Sequence, residues 1–182
     1  MVLSKRALDR LPYNAEKTNV TWETCSLRKW LNEKFYANAF NKTEQDLIKT
    51  VTLKNYDNPE YNTPGGNDTE DKVFLLSFYD MINTDYGFDD DIEYDLNRAC
   101  VSSSYAYSHS YFDGVGEDSD EEDYLYYWLR SPGYSADCAM DVSMYEEGII
   151  YLNGSEVDDK LARDVVRPAI EIILDKSQEN DE

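Results

Sequence analysis

Basic residues are scarce in this sequence of 182 residues. Lysine and arginine total 17 against 38 aspartates and glutamates, which gives a formal net charge of −21. A negative field of this size repels phosphate, so the composition excludes a nucleic acid or an anionic membrane surface as partner. The sequence also has no apolar run of the roughly 18–20 residues that a membrane-spanning helix needs, and we expect no membrane insertion.

Histidine and cysteine, the usual zinc ligands, are equally rare. The chain has one histidine and three cysteines (Cys25, Cys100 and Cys138), none of them in a C-x-x-C pair. A Cys/His metal site lacks ligands here, and we predict no metal and no cofactor. We interpret the cysteines as buried free thiols, with one disulfide plus a spare thiol as the alternative.

Signatures of catalysis are absent as well. The sequence has no Walker loop, no G-x-G-x-x-G and no H-E-x-x-H. The single histidine, His109, lies in a Ser- and Tyr-rich stretch without a triad-like pattern and is interpreted as a surface residue. We therefore predict that the protein is not an enzyme.

The amino terminus has no secretion signal, because residues 1–10 carry four charges and no apolar core. We expect that the protein stays inside the cell or that the chain is a fragment of a surface protein. The length is that of one domain, assigned to residues 1–176, with a disordered polar tail at 177–182.

The first half of the chain has helical spacing. Apolar residues recur mostly three or four apart over 27–40, and Thr24 and Ser26 offer capping hydroxyls before them. This pattern predicts an amphipathic helix. Thr43 followed by Asp46 predicts the cap of a second, short helix.

A polar segment, 55–71, follows these helices. It is rich in Asn, Asp, Pro and Gly, and we expect it to be too polar to pack as an element. Its Gly65-Gly66 pair indicates a defined backbone path. The apolar run 72–77 predicts a buried strand, and 78–82 a helical turn.

Acidic residues concentrate in two predicted insertions, about 85–95 and 113–123. The first contains three consecutive aspartates from Asp89, and six of the seven residues over 117–123 are acidic. Calcium binding is one interpretation, but the second run lacks the glycine of an EF-hand loop. We favour solvated insertions.

The last third of the chain predicts strands at 124–129, 138–144, 148–153 and 164–174. In the longest of them, Pro168 forces an edge position or a bulge. Helices followed by an antiparallel sheet make the fold class α+β.

Tyrosine is the abundant aromatic residue, with 16 copies, many of them in the stretches 102–111 and 134–151. Tyr, Ser, Asp and Asn together are the composition of binding loops, since tyrosine offers a large amphipathic contact area. The alternative is that these tyrosines are half-buried sheet residues.

Four ordered blocks go beyond composition. They are S-L-R-K-W-L-N at 26–32, N-T-P-G-G-N-D-T-E-D-K-V-F-L-L-S at 62–77, W-L-R-S-P-G at 128–133 and V-R-P-A-I at 166–170. They resemble a bacterial domain family of unknown function, and the resemblance covers about 3–174. It implies a C-type-lectin-like fold, similar to formylglycine-generating-enzyme domains and to the variable proteins of diversity-generating retroelements.

In that fold the termini pair as neighbouring strands, which here implies pairing of 165–174 with 1–8. Family members usually have a further strand upstream, so we expect an amino-terminally incomplete domain. The calcium tripeptides of lectins and the paired cysteines of formylglycine-generating enzymes have no counterpart in this sequence.

The variable proteins keep a framework and diversify positions near the carboxyl end. The resemblance implies a window at 134–159 with framework residues Ala139, Val142, Gly148, Gly154 and Val157. The implied ligand-binding positions are Tyr134, Ser135, Asp137, Asp141, Ser143, Tyr151, Asn153, Ser155 and Glu156. Strand alternation independently places four of these, Asp141, Ser143, Tyr151 and Asn153, on polar faces.

We assign a structural role to the motif residues Trp128, Arg130, Gly133, Arg167 and Pro168, and we expect each arginine to pair with a carboxylate. The predicted function is a non-catalytic domain that recognises a protein or glycan ligand. The alternatives are a formylglycine-generating-type enzyme and a scaffold domain of a larger bacterial surface protein. The sequence leaves the oligomeric state open.

Overall fold

The computed structural model describes residues 1–108, 126–143, 148–158 and 164–173, which together form an α+β fold. The helices are α1 (Ser26–Trp30), α2 (Tyr36–Ala39), α3 (Lys42–Leu47), α4 (Phe78–Met81) and α5 (Ser104–Ser108); a π-helical turn (Leu31–Phe35) joins α1 to α2, and a 3-10 turn (Thr84–Tyr86) follows α4. The strands are β1 (Val2–Leu3), β2 (Arg6–Ala7), β3 (Val51–Leu53), β4 (Thr69–Asp71), β5 (Val73–Phe74), β6 (Val101–Ser102), β7 (Tyr126–Pro132), β8 (Cys138–Ser143), β9 (Ile150–Glu156), β10 (Asp164–Val165) and β11 (Ala169–Ile170).

The first predicted helix is confirmed, since α1, the π-helical turn and α2 follow one another without a break. Its cap differs from the prediction. The sulfur of Cys25 accepts a hydrogen bond from the backbone N–H of Arg28 at 3.5 Å. The hydroxyls of Thr24 and Ser26 accept instead from backbone N–H groups that precede the helix.

The second predicted helix is also confirmed, as α3, but with a different cap. Asn41 and Glu44 form a capping box, in which each side chain accepts a hydrogen bond from the other residue's backbone N–H. Asn at the cap with Glu three residues later satisfies two free N–H groups at once. The predicted pair, Thr43 and Asp46, lies two residues too far along the chain.

The polar segment 55–71 contains a strand that its composition does not predict. Its last residues form β4, which pairs antiparallel with β3. In β4 the buried carboxylate of Asp71 accepts from the indole N–H of Trp22 at 2.9 Å and from Arg28 Nε at 2.7 Å. The expectation that this segment is too polar to form a packed element is therefore wrong, because the hydrogen bonds from Trp22 and Arg28 offset the cost of burying the Asp71 carboxylate.

The glycine pair in the same segment follows the defined path that the sequence indicates. Gly66 has a φ of +87°, and a Cβ at Gly65 would lie 2.3 Å from the carbonyl oxygen of Tyr56. In the apolar run 72–77, predicted as one strand, residues 73–77 are buried but only Val73–Phe74 form a strand, β5; the predicted helical turn is α4.

The largest sheet has the strand order β10-β7-β8-β9. β8 pairs antiparallel with β7 and with β9, as predicted for this part of the chain. β10 pairs parallel with β7, so the prediction of a purely antiparallel sheet is wrong at this edge.

The strand predicted over 164–174 is interrupted at Pro168, which has no backbone N–H to donate to a sheet. The residues before it form β10 in the largest sheet. The residues after it form β11, which lies between β1 and β5 in a second sheet. One predicted strand is therefore two short strands in two sheets.

The implied pairing of the termini is confirmed for the residues that form β1 and β11. Leu3 lies opposite Ala169, and the backbone N–H of Ser4 donates to the carbonyl of Pro168 at 2.9 Å. Leu8 N–H further donates to Val166 O at 2.8 Å. The two ends of the domain thus hold each other in place.

The acidic segment 85–95 is solvated only in part. The side chains of Asp89 and Asp91 are exposed. Their backbone carbonyl oxygens, however, accept hydrogen bonds from Nη2 of the buried Arg98 guanidinium, each at 2.6 Å. Arg98 Nε donates to Met81 O at 2.9 Å, and Nη1 to Glu93 O at 3.2 Å. The backbone of this segment is therefore wrapped around one buried cation.

Several predicted features lie outside the described residues: the second acidic insertion 113–123, His109, Met144 and the tail 177–182. Within the described part, no group of three or more His, Cys, Asp or Glu side chains could hold a metal ion. In the same part of the chain, no helix has the length and apolar character that crossing a membrane requires.

We expect Arg98→Met to lower the free energy of unfolding by about 3–5 kcal/mol, because it leaves buried carbonyl groups and Asp95 without their cationic partner. Urea denaturation measures the change. Arg6→Met, at an exposed arginine, is the matched control. Equal midpoints for the two variants would show that Arg98 does not organise the acidic segment.

Candidate ligand-binding surface

The turn that joins β7 to β8 carries the first predicted ligand-binding residues. Gly133 N–H donates to Cys138 O at 2.8 Å, and Cys138 N–H donates to Ser135 O at 3.0 Å. The hydroxyl of Ser135 donates to the Asp137 carboxylate and holds the pKa of that carboxyl below its usual range. The turn is therefore fixed by bonds at both its ends and its centre.

Gly133 is needed for this turn to lie against β9. A Cβ at this position would approach the carbonyl oxygen of Asn153 to 2.4 Å. The next residue, Tyr134, donates its backbone N–H to that same oxygen at 2.9 Å. Asp137 O likewise accepts from Val157 N–H at 2.9 Å. The turn and the end of β9 are therefore one unit, held together by backbone bonds.

The framework glycines of the window are fixed by the backbone as well. Gly154 has a φ of +61°, and a Cβ there would lie 1.9 Å from Ala139 O. Gly148 has a φ of +65°, and its Cβ would lie 2.2 Å from Asp95 O. A side chain at either position would collide with backbone atoms.

The predicted ligand-binding residues differ in exposure. Tyr134 is 54% exposed, and Asn153 and Glu156 are also exposed. Four more are half-buried: Ser135, Asp137, Tyr151 and Ser155. Seven of the nine positions thus reach solvent, all of them on the turn or on β9.

Asp141 and Ser143 are the two exceptions. Their relative exposures are 3% and 4%, so their expected position on a solvent-facing side of β8 is wrong. The rings of Tyr126 and Tyr151, from the strands on either side of β8, meet with centroids 5.6 Å apart and cover this face. The Asp141 carboxylate accepts the hydroxyl hydrogen of Ser155 at 2.6 Å, which compensates in part for its burial.

Arg130 pairs with a carboxylate, as expected from the sequence. Its Nη1 lies 2.6 Å from the carboxylate of Asp80 and donates to Leu75 O at 2.8 Å. Asp80 also accepts from Ser77 in the capping box of α4. The arginine therefore ties β7 to α4 and to the strand before it.

Arg167 is held differently from the prediction. Its Nε donates to Ser4 O at 3.0 Å and its Nη1 to Arg98 O at 2.6 Å and to the Tyr127 hydroxyl at 3.2 Å, so its partners among the described residues are two carbonyl groups and a hydroxyl instead of a carboxylate. The guanidinium also lies over the ring of Tyr127, 5.2 Å from its centroid. Trp128, the first residue of the W-L-R-S-P-G block, is fully buried and donates its indole N–H to Leu11 O.

Asn58 supports the surface but was not predicted from the sequence. It is buried, and its Nδ2 donates to the carbonyls of Pro132, Gly133 and Leu152 at 2.8–3.0 Å. Its Oδ1 accepts from the backbone N–H of Tyr61 at 3.0 Å. This side chain therefore fastens the polar segment to the turn and to β9.

The buried polar residues that support the surface and the fold, and that were not predicted, each have a weak signal in the sequence. Asn58 precedes a proline, a pair that marks turns, and Ser77 with Asp80 has the spacing of a capping box. Arg98 is the single basic residue between Lys72 and Arg130. None of these signals identifies the distant carbonyl groups that the side chains bind.

The cysteines are buried free thiols, as predicted. Burial raises the pKa of Cys25 to about 12 and raises the pKa values of Cys100 and Cys138. These groups are therefore protonated at neutral pH, and the thiol is a poor nucleophile compared with the thiolate.

A cavity of about 430 Å³ lies away from this surface, between the amino-terminal segment and α1. Its walls include Leu11, Leu27 and Trp30, and Lys29, Glu33 and Lys34 also line it. None of the predicted ligand-binding residues lines it.

The chain matches a known family model. The family model described as "Domain of unknown function (DUF6273)" matches residues 1–174, nearly the whole chain. No curated protein and no solved structure matches the sequence.

We expect Arg130→Ala to lower the melting temperature by on the order of 5–10 °C, because it removes the cation paired with Asp80 and the donor to Leu75 O. Differential scanning calorimetry measures the change. Lys54→Ala removes an exposed ion pair and is the control, with little expected effect. An unchanged melting temperature for Arg130→Ala would contradict the structural role.

Proposed function

The chain belongs to the DUF6273 family, a domain of unknown function, and we propose that it is a non-catalytic domain that binds a protein or glycan ligand. One observation carries the proposal. The turn at 134–137 is joined to the end of β9 by backbone hydrogen bonds, and the turn and β9 as a whole present seven of the nine predicted residues to solvent. Preorganised side chains bind at a lower entropic cost than side chains on a loose loop.

Within this proposal the fold is C-type-lectin-like. The antiparallel pairing of β1 with β11, which brings the two ends of the domain together, supports it. The three-stranded antiparallel unit β7-β8-β9, from which the surface is built, supports it as well.

We further propose that the domain is the variable protein of a diversity-generating retroelement. The support is a division within the window 134–159. The framework residues Ala139, Val142 and Val157 are fully buried, and the two framework glycines have positive φ angles. Most of the positions proposed to vary are exposed or half-buried, where substitutions cost little stability.

The enzyme alternative has less support, since the described cysteines are buried thiols with raised pKa values. The scaffold alternative places the ligand site in another part of a larger protein. A ligand that binds this chain by itself, through the surface described above, distinguishes the proposed function from that alternative.

We expect the triple variant Tyr134→Ser, Asn153→Ser, Glu156→Ser to melt close to the wild type and to lose ligand binding. The three side chains are exposed, so their loss removes contact area and little packing. The ligand is sought on a glycan array and in a peptide-display library, and calorimetry gives the melting temperature. Tyr94→Ser, at an exposed tyrosine elsewhere, is the control. Ligand binding that survives the triple variant unchanged would place the site elsewhere.

The retroelement hypothesis has its own test in the source locus. We expect a reverse-transcriptase gene and a near-copy of the coding stretch for 134–159 that differs only at adenines, because diversification acts at those bases. Sequencing the region around the gene decides it. A locus without these two features would rule out the variable-protein hypothesis and leave the binding function standing.

A further inference from the structure

Four exposed tyrosine rings form two pairs, one of which includes Tyr134 of the proposed surface, while Tyr79 in the other pair also packs against the core residue Phe78. Tyr61 meets Tyr134 with ring centroids 6.4 Å apart, and Tyr56 meets Tyr79 at 4.8 Å, both edge to face. The four side chains are 42–54% exposed. We call these four residues the tyrosine face.

The backbone beneath the tyrosine face is fixed. Asn58 accepts from the backbone N–H of Tyr61 and donates to Gly133 O, next to Tyr134. Gly65 packs against the carbonyl of Tyr56, and its own N–H donates to Asp57 at 3.0 Å. The backbone that carries the rings of Tyr56 and Tyr61 is therefore fixed by these contacts.

The charge around these rings is negative. Asp57 and Glu60 lie in the same segment, are exposed, and form no ion pair with the residues that the structure describes. Partial burial and the adjacent Glu60 carboxylate raise the pKa of Tyr61. Two basic side chains on neighbouring parts of the chain are already in ion pairs, Lys54 with Asp68 and Arg130 with Asp80.

Elsewhere in the chain, tyrosine rings already hold cations. Lys72 Nζ lies 4.6 Å from the centroid of the Tyr36 ring, and Arg167 lies over Tyr127. Among the described residues, no cation lies over any ring of the tyrosine face. The electron-rich faces of aromatic rings attract ammonium and guanidinium groups, and nearby carboxylates add to that attraction.

From the exposed rings, the carboxylates of Asp57 and Glu60, which have no cationic partner among the described residues, and the fixed backbone, we infer that the tyrosine face binds a lysine- or arginine-containing peptide segment of a partner protein. This inference rests on the proposed binding function and names its ligand. Tyr61 lies five positions after Tyr56, so their α-carbons lie at most about 17 Å apart, which is the length of an extended peptide of five or six residues. Its basic side chains stack on the rings, and its charge pairs with Asp57 and Glu60.

The test starts from the wild-type protein and a display library of random 12-residue peptides, with a glycan array in parallel. Selection at an ionic strength of about 0.15 M limits attraction by the overall negative charge to about 8 Å. We expect enriched peptides to share lysine or arginine. The most enriched peptide is synthesised, together with a version in which glutamine replaces each basic residue, which we expect to bind at least tenfold more weakly.

Variants of the protein then locate the contact. We expect Tyr56→Ala with Tyr79→Ala to weaken binding of the selected peptide about tenfold, and Tyr56→Phe with Tyr79→Phe to retain it, because the ring faces remain. The matched control is Tyr94→Ala with Tyr107→Ala, at two equally exposed tyrosines. Glu60→Gln should weaken binding severalfold and Glu16→Gln should not. Melting temperatures establish that each variant is folded.

The outcomes separate the inference from the proposed function. Binding of neutral peptides or of glycans alone overturns the cationic-peptide inference and leaves a ligand-binding domain. The inference is also overturned if a basic peptide binds the Tyr56→Ala, Tyr79→Ala variant as tightly as it binds the Tyr94→Ala, Tyr107→Ala control, since overall charge then suffices. If the wild type binds nothing on the array or in the library, both the inference and the proposed function are wrong.

Discussion

The carbonyl oxygen of Arg98 accepts two hydrogen bonds from distant parts of the chain, and most of the fold depends on this junction. The donors are the hydroxyl of Tyr127 in β7, at 2.8 Å, and Nη1 of Arg167, at 2.6 Å. Burial raises the pKa of Tyr127, so its hydroxyl stays a donor at neutral pH. The side chain of Arg98 binds the acidic segment, and Arg167 binds Ser4. One buried junction thus joins the amino terminus, the acidic segment, the largest sheet and the residues between β10 and β11.

The proposed ligand surface depends on this junction indirectly. It lies on a turn and a hairpin that continue from β7, and Arg130 fastens β7 to α4. Asn58 adds the polar segment by binding the carbonyl groups of the turn. The exposed side chains therefore project from a backbone whose position is fixed by hydrogen bonds from buried polar side chains. This arrangement allows the exposed residues to change, or to contact a ligand, while the fold stays the same.

The candidate site was predictable where its residues lie on a turn or at an edge, and not where they lie in the middle of the sheet. Strand alternation separates two faces but does not say what covers each face. Tyr151 and Asn153, on the outer strand β9, remain partly or fully exposed as expected. Asp141, on the central strand β8, is instead buried beneath the rings of Tyr126 and Tyr151, which come from its two neighbours. The tyrosine face was missed for a similar reason, since Tyr56 and Tyr79 meet only in the folded chain.

The sequence by itself determined the elements that depend on neighbouring residues. Apolar spacing specified the helix from residue 26, Gly65-Gly66 indicated a defined backbone path, and the buried thiols followed from the scarcity of cysteine and histidine. Tertiary structure decided which polar groups are buried and which segments pair. Arg98 is buried because four backbone carbonyl groups between Met81 and Glu93 accept its hydrogens. Pro168 divides one predicted strand between two sheets. The physical reason is that a buried charge or a strand needs partners, and here those partners come from residues far away in the chain.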